Sequence, residues 1–266
     1  MLPSYASAGM DAQSASGRSR RSHYAEDAHL QPGSLFRYLR RVVRYPDMDF
    51  QYTLSQMRLL LHAPSKVYKL TSWRNQTKAQ WARDDPAFVV LLSLLIAAGA
   101  AAYALALGAG GISGLLLQVA VHLALFFVSG LLVASMLWWL ANAHLRQRHS
   151  HSVEQQVEWM YSFDIHCNGY WPLALLLYPV QLVLLPLLSG YSFLATLAAN
   201  TLWCGALAYY SYITFLGYMY LPFLAKDRVT ALLYPVAAFA VLFTLLTAIN
   251  VNATRYSLSF FFSNMY

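Results

Sequence analysis

Two long runs of the sequence contain no Asp, Glu, Lys or Arg: residues 86–145 and residues 165–225. Each run has about 60 residues, which as an α-helix would extend about 90 Å, about three times the thickness of the hydrocarbon core of a bilayer. Each run is therefore predicted to contain two membrane spans and a turn. A third uncharged run, residues 229–254, fits one further span. The predicted spans are 86–107, 112–140, 169–188, 193–221 and 229–251.

The composition supports a membrane protein. Of the 266 residues, 58% are hydrophobic and 11% are charged, which is about half the charged fraction of a soluble domain. Small residues mark the turns within the two long runs, at 108–111 and at 189–192. The expected fold class is all-α: a polytopic membrane protein with five transmembrane helices and an amphipathic helical N-terminal region in the cytosol.

The polar N-terminal part of the chain divides into a tail and a helical region. Residues 1–33 are rich in Ser, Ala and Gly and lack apolar periodicity, which predicts a disordered tail. Beyond residue 34, four arginines fall on one helical face and apolar residues on the opposite face, which indicates a basic amphipathic helix. The predicted domains are the cytosolic tail at 1–33, a basic helical region at 34–85, the five-span bundle at 86–251 and a short lumenal tail at 252–266.

The distribution of basic residues predicts the orientation in the membrane. Thirteen of the 18 Lys and Arg residues precede Pro86, and an excess of basic residues marks the cytosolic side. The N-terminus is then cytosolic, the C-terminus is lumenal, and the first span acts as an uncleaved signal-anchor. Asn252-Ala253-Thr254 is a lumenal glycosylation sequon, and its closeness to the membrane predicts poor occupancy.

Residues 76–88, here called the collar, join the basic region to the first span. Lys, Arg and Trp in this stretch are types that anchor at a membrane interface, and Asp85 can cap the helix that begins with Pro86. The collar and the preceding arginines form a candidate surface for an acidic partner or for anionic lipids of the cytosolic leaflet. The alternative is an ordinary segment entering a bilayer. The candidate residues are Arg37, Arg40, Arg41, Arg44, Lys78, Arg83, Asp84 and Asp85.

The polar connection at 141–167 contains four histidines and three acidic residues. Their spacing does not place two ligands one helical turn apart, so no metal site is predicted. Glu158 and Asp164 are instead expected to pair with basic side chains of the collar or loops and to hold the helical hairpins in register. With Asp85 they form a candidate structural clamp.

Nothing in the sequence indicates catalysis, because it contains no nucleophile elbow, zincin motif or paired intramembrane carboxylates. No catalytic residue and no cofactor are assigned. His122 lies in the middle of a span, where a helix-to-helix hydrogen bond is its favoured role. A cavity lined by His122, Gln118 and Asn200 would instead indicate a lipid or small-solute carrier, which is the alternative function. RNA binding by the arginine-rich helix is a weak prediction, since no recognised RNA-binding motif accompanies it.

Three stretches carry a family resemblance: the collar, residues 157–168 (VEWMYSFDIHCN) and residues 210–218 (YSYITFLGY). In order and spacing they resemble the Unc-fifty family of eukaryotic Golgi membrane proteins, and the resemblance covers about residues 35–250. It implies a five-span Golgi protein linked to large Arf guanine-nucleotide exchange factors and to delivery of assembled cell-surface receptors. Other endomembranes, including the inner nuclear membrane, are alternative locations. The family has no established catalytic residues to carry over.

Overall fold

The computed structural model describes residues 48–108, 110–147 and 155–262. Within these residues the regular elements are helices, which confirms the predicted all-α class. Arg37, Arg40, Arg41 and Arg44 lie outside the described residues. The α-helices are α1 (Phe50–His62), α2 (Pro64–Lys78), α3 (Ala87–Leu107), α4 (Gly111–Leu140), α5 (Trp159–Leu175), α6 (Gln181–Val183), α7 (Leu185–Leu188), α8 (Phe193–Met219), α9 (Lys226–Val229), α10 (Tyr234–Ala248) and α11 (Ala253–Phe262).

Three helical stretches in the described part of the chain are long and apolar enough to cross a membrane: Ala87–Leu107, Gly111–Leu145 and Lys226–Ala248. The second is α4 extended by the π-helical turn Ala141–Leu145, and the third joins α9 to α10 through the 3₁₀ turn Thr230–Leu233. They correspond to the first, second and fifth predicted spans. These helices indicate a membrane protein.

The other two predicted spans differ from the expectation. The stretch 169–188 is not one helix, because α5 passes into the π-helical turn Leu176–Val180 and the short helices α6 and α7 follow. Pro172 and Pro179 lack a backbone N–H, and they interrupt the regular helical hydrogen bonding. Helix α8 has 27 residues, but Asn200 and the tyrosines near its C-terminal end make it less apolar. By length and composition, the described residues thus contain three membrane-crossing helices rather than five.

Helix α8 is central, since it packs against both α5 and α10. The pairing with α5 depends on two glycines. A Cβ added at Gly217 would lie 2.8 Å from Ile165 Cδ1, and one added at Gly169 would lie 2.8 Å from Tyr210 Cδ2. Small residues at such positions let two helix backbones approach closely.

Helices α1 and α2 form a hairpin that packs on the bundle. Asp49 caps α1 by accepting a hydrogen bond from Tyr52 N (2.9 Å), and Pro64 begins α2, where the missing N–H costs nothing. Trp171 of α5 and Tyr209 of α8 donate hydrogen bonds to backbone carbonyls of α1. The side chains that the hairpin buries are Thr53, Gln56, Met57, Leu60, Val67, Tyr68 and Thr71.

The C-terminal stretch that was expected to be a short tail contains α11, which packs at the end of the bundle opposite the collar. Phe262 is buried, and Gln118 Nε2 of α4 donates to Phe261 O (2.7 Å). His122 Nδ1 lies 2.8 Å from the Gln118 carbonyl oxygen of its own helix. The described hydrogen bond of His122 thus lies within α4, whereas a helix-to-helix bond was expected. Gln118, one turn earlier, makes the hydrogen bond to α11.

Asn252, the acceptor of the glycosylation sequon, has a structural role. Its side chain is buried, its Nδ2 donates to Leu188 O (2.8 Å), and its Oδ1 accepts from Arg255 N (3.0 Å) at the start of α11. Both polar atoms of the amide are thus engaged inside the protein. The folded chain does not present Asn252 for attachment of a glycan.

Candidate interaction site at the collar

The backbone of the collar is held by acidic side chains near the start of α5. The two carboxylate oxygens of Glu158 accept hydrogen bonds from Trp81 N (3.0 Å) and Ala82 N (3.1 Å). Asp164 Oδ2 accepts from Arg83 N (2.6 Å). Bonds from N–H groups to ionised carboxylates are stronger than those between neutral groups. The irregular collar is therefore fixed to the bundle through three consecutive backbone amides.

The position of Glu158 is set by the end of α4. Asn142, in the π-helical turn, donates from Nδ2 to Val157 O (3.1 Å) and accepts at Oδ1 from Val157 N (2.8 Å). This reciprocal pair fixes the residue directly before Glu158. One amide side chain thereby links the α4 end, the α5 start and the collar.

Arg83 lies inside the protein, although the sequence assigned it to an exposed partner surface. Its side chain is 8% exposed, its Nη2 donates to Asn168 Oδ1, and its guanidinium lies 4.1 Å from the centre of the Phe88 ring. An arginine can bury its charge when a hydrogen-bond acceptor and an aromatic face surround it. Arg83 consequently ties the collar to α5 and α3 and is not available to a partner.

The other collar charges have local partners. Asp85 accepts from Asp49 N (2.8 Å) through Oδ2 and from Ala87 N (3.0 Å) through Oδ1, so it joins the start of α1 to the start of α3. Lys78 Nζ and Asp84 Oδ2 form an ion pair at 2.7 Å. With exposed fractions of 56% and 31% for the two side chains, this pair contributes little stability.

Aromatic residues form a second layer beneath the collar. The Trp81 ring contacts Tyr161 and Phe223 edge-on, at centroid distances of 6.1 and 6.3 Å. Tyr161 then donates from its hydroxyl to Gly217 O (2.7 Å). Tyr68 of α2 donates to Ile213 O (3.1 Å). The collar, α2, α5 and α8 are thereby joined by packing and hydrogen bonds at one end of the bundle, here called the collar face.

Burial raises the pKa of Asp164 to about 6, and the nearby charge of Arg83 limits the rise. Near neutral pH Asp164 is therefore mostly ionised, but it is close to its titration range. A carboxyl whose pKa is raised in the folded state contributes stability that is lost as the pH rises through that pKa. The protonation state of Asp164 therefore depends both on its burial and on the charge of Arg83.

The structure brings the three residues of the predicted clamp, Asp85, Glu158 and Asp164, to the collar. Their hydrogen-bond partners are backbone amides, whereas the sequence indicated basic side chains for Glu158 and Asp164. Asn168, which accepts a hydrogen bond from Arg83, and Tyr68, which donates one to α8, were not assigned to this site from sequence. A single amide or hydroxyl group in a helical segment gives no signal of its partner. The clamp's role in assembly stays a prediction.

Gln118 and Asn200, which were proposed to line a carrier cavity, form hydrogen bonds at opposite ends of α11. Gln118 bonds to Phe261 O at the C-terminal end of α11, and Asn200 Oδ1 accepts from Ala253 N (2.9 Å) at its N-terminal end. Among the residues that the structure describes, no group of three or more His, Cys, Asp or Glu side chains is placed to hold a metal ion.

Comparison with known proteins gives a consistent result. The model of the UNC-50 family matches residues 38–262. The unc-50 homolog of Dictyostelium discoideum is 42% identical over 227 residues, which cover 85% of this chain and 86% of that protein. The human unc-50 homolog is 38% identical over 234 residues, covering 88% and 89%. The unc-50 homolog A of Xenopus laevis is 39% identical over 229 residues, covering 85% and 86%. No solved structure matches.

Proposed function

The chain belongs to the UNC-50 family, and from this premise we propose that it is a non-enzymatic Golgi membrane protein of vesicular trafficking. It acts as a membrane adaptor for large Arf guanine-nucleotide exchange factors and assists delivery of assembled cell-surface receptors. Its N-terminus is cytosolic, its C-terminus is lumenal, and the collar face is the cytosolic face.

One observation carries the adaptor proposal: the collar is an irregular segment held in a fixed form by the bundle itself. Glu158 and Asp164 fix three consecutive backbone amides of the collar, and Arg83 is buried beneath it. A pre-organised surface loses less conformational entropy when a partner binds. The collar thus provides a rigid platform for a peripheral protein.

The polar residues within the bundle favour an adaptor over a carrier. Asn200 makes hydrogen bonds to Thr247 Oγ1 and Val251 O, both at 2.9 Å, in addition to Ala253 N. Gln118 is likewise bonded to α11. These groups hold helices together, and a transport pathway would need them to face a cavity.

The proposal includes five spans, of which α3, α4 and α9–α10 supply three. One of the other two spans is formed by α5, α6 and α7 together, and the other is formed by α8. Helix α8 at 27 residues is long enough to cross a bilayer, and its polar groups bond to neighbouring helices. A proline-broken segment is tolerated in a membrane when neighbouring protein surrounds it.

Replacing Glu158 with alanine tests the adaptor role. The change removes the acceptor of two collar amides at a partly exposed site, so a loss of about 2 kcal/mol in stability is expected. The protein should still fold, while the collar should become mobile by hydrogen exchange. We expect recruitment of a large Arf exchange factor to Golgi membranes to fall several-fold.

Asp227→Ala provides a matched control, because Asp227 is an exposed acid on the same face. Its backbone carbonyl, which the substitution keeps, accepts a hydrogen bond from the Thr230 hydroxyl. This variant should recruit the exchange factor normally. If Glu158→Ala makes the collar mobile and recruitment is unchanged, the collar is not the adaptor surface.

A further inference from the structure

The outer side of the α1–α2 hairpin is a basic surface that the proposed adaptor function does not use. Residues 50–83 contain six Arg or Lys and no Asp or Glu. Arg58, Lys66 and Lys69 are exposed, and Trp73 is 67% exposed. In α2, Lys66, Lys69 and Trp73 are spaced three and four residues apart, so they share one helical face.

The tip of the hairpin lies deeper along the bundle than the collar does. On α5, Asp164 holds the collar, while Trp171 Nε1, two helical turns further along, donates to Met57 O (3.0 Å). On α8, Gly217 lies at the level of the aromatic layer, while Tyr209 donates to Leu60 O (2.8 Å) about 12 Å further from the collar.

The membrane placement of α3 then puts the tip of the hairpin beside the lipid headgroups. The candidate span α3 begins at Ala87, directly after the collar. Since the tip of the hairpin bonds to α5 and α8 beyond that level, it lies alongside the membrane-entering ends of the helices. Cationic side chains at this depth meet the phosphate groups of lipids before they meet a cytosolic protein.

The exposed face of α1 adds an apolar contact to these charges. A shallow groove along α1 is lined by Gln51, Leu54, Ser55, Arg58, Leu59 and His62. Leu54 is 52% exposed although α1 is amphipathic, so a leucine is left uncovered next to Arg58. Cations interleaved with exposed Leu and Trp are typical of helices that lie in the membrane interface.

We propose that Arg58, Lys66 and Lys69 form a binding site for anionic phospholipid headgroups in the leaflet at the collar face. The lipid phosphates meet the three cations, Trp73 inserts among the headgroups, and an acyl chain packs along Leu54 and Leu59. This site anchors the hairpin, and hence the platform it supports, to the bilayer. The lipid site depends on α3 being a membrane span, but it does not depend on a role of the protein in trafficking.

The test uses the full chain in neutral detergent and counts bound lipids by native mass spectrometry. Phosphatidylserine is the anionic probe and phosphatidylcholine the neutral one. Each basic residue near a membrane surface contributes about fivefold to binding of anionic lipid. The triple variant Arg58→Gln, Lys66→Gln, Lys69→Gln should therefore lose affinity for phosphatidylserine on the order of a hundredfold, with phosphatidylcholine unaffected.

Two further variants make the test decisive. Arg18→Gln, Arg20→Gln, Arg21→Gln changes the net charge equally in a distant stretch of sequence and should keep wild-type binding. Arg58→Lys, Lys66→Arg, Lys69→Arg preserves the charges and should also keep it. Undiminished phosphatidylserine binding by the neutral triple variant overturns the proposal, as does equal loss in the first control. Loss of exchange-factor recruitment with intact lipid binding would assign the surface to a protein instead.

Discussion

Replacing Arg83 with methionine is expected to destabilise the protein by about 2–3 kcal/mol, because a buried hydrogen bond that involves a charged group contributes about 1.5–3 kcal/mol. The change removes the hydrogen bond to Asn168 and the contact with Phe88. It also removes the nearby charge that favours the ionised form of the buried Asp164 carboxyl. Thermal unfolding in detergent measures the loss.

A double variant separates the charge effect from lost packing. In Arg83→Met combined with Asp164→Asn, no uncompensated charge remains, and the asparagine oxygen still accepts from the backbone amide of residue 83. The double variant should thus be more stable than Arg83→Met alone. If it is less stable by the full sum of the single effects, the two residues are not coupled.

The same pair predicts a dependence on pH. Arg83 limits the rise in the pKa of Asp164, which is about 6 in the folded protein against a reference of 3.8. Without Arg83 this pKa rises further, and the folded state favours the protonated acid. Acidification from about pH 7.5 to about pH 5.5 should therefore stabilise Arg83→Met more than the wild type. The double variant, which lacks the acid, should show no such gain.

Asn200→Ala should have the second large effect, a loss of about 3 kcal/mol. Asn200 is 1% exposed, and its side-chain amide makes hydrogen bonds to Thr247, Val251 and Ala253. Each buried polar group left without a partner costs about 1–3 kcal/mol, although hydrogen bonds between helices in membrane proteins average only about 0.6 kcal/mol. Thermal unfolding in detergent again gives the measurement.

Thr244→Ala serves as the matched control on α10. Thr244 is exposed, and its hydroxyl bonds to Ala240 O (2.7 Å) within its own helix. Its removal should change the unfolding temperature little. If Asn200→Ala is equally harmless, Asn200 does not hold α8 to α10 and α11.

The sequence predicted those features that follow from long uniform patterns. The uncharged runs located α3, α4 and α10. The acids at 158 and 164 were expected near the collar, because the span order places both on one face. The third predicted span was expected to be one helix, but it contains Pro172 and Pro179, and the π-helical turn that follows α5 depends on tertiary packing.

The remaining features depend on contacts that a single sequence does not reveal. Helix α2 shows no apolar stripe, since it buries only Val67, Tyr68 and Thr71. The collar acids bond to backbone amides, which every residue carries, so residue types could not identify the partners. Arg83 was assigned to a surface because arginine is a type that anchors at a membrane interface, whereas Phe88 and Asn168 surround it.

Glycosylation mapping distinguishes a five-span bundle with a cytosolic collar face from other topologies. A flexible linker that carries a glycosylation acceptor is inserted after Tyr191, an exposed residue between α7 and α8. An identical linker is inserted within 148–154, between α4 and α5. Because Asn252 is buried, a new glycan reports on the linker. We predict a glycan on the linker after Tyr191 and none on the linker within 148–154. An unmodified linker after Tyr191, or a glycan within 148–154, would contradict the five-span topology and the cytosolic platform.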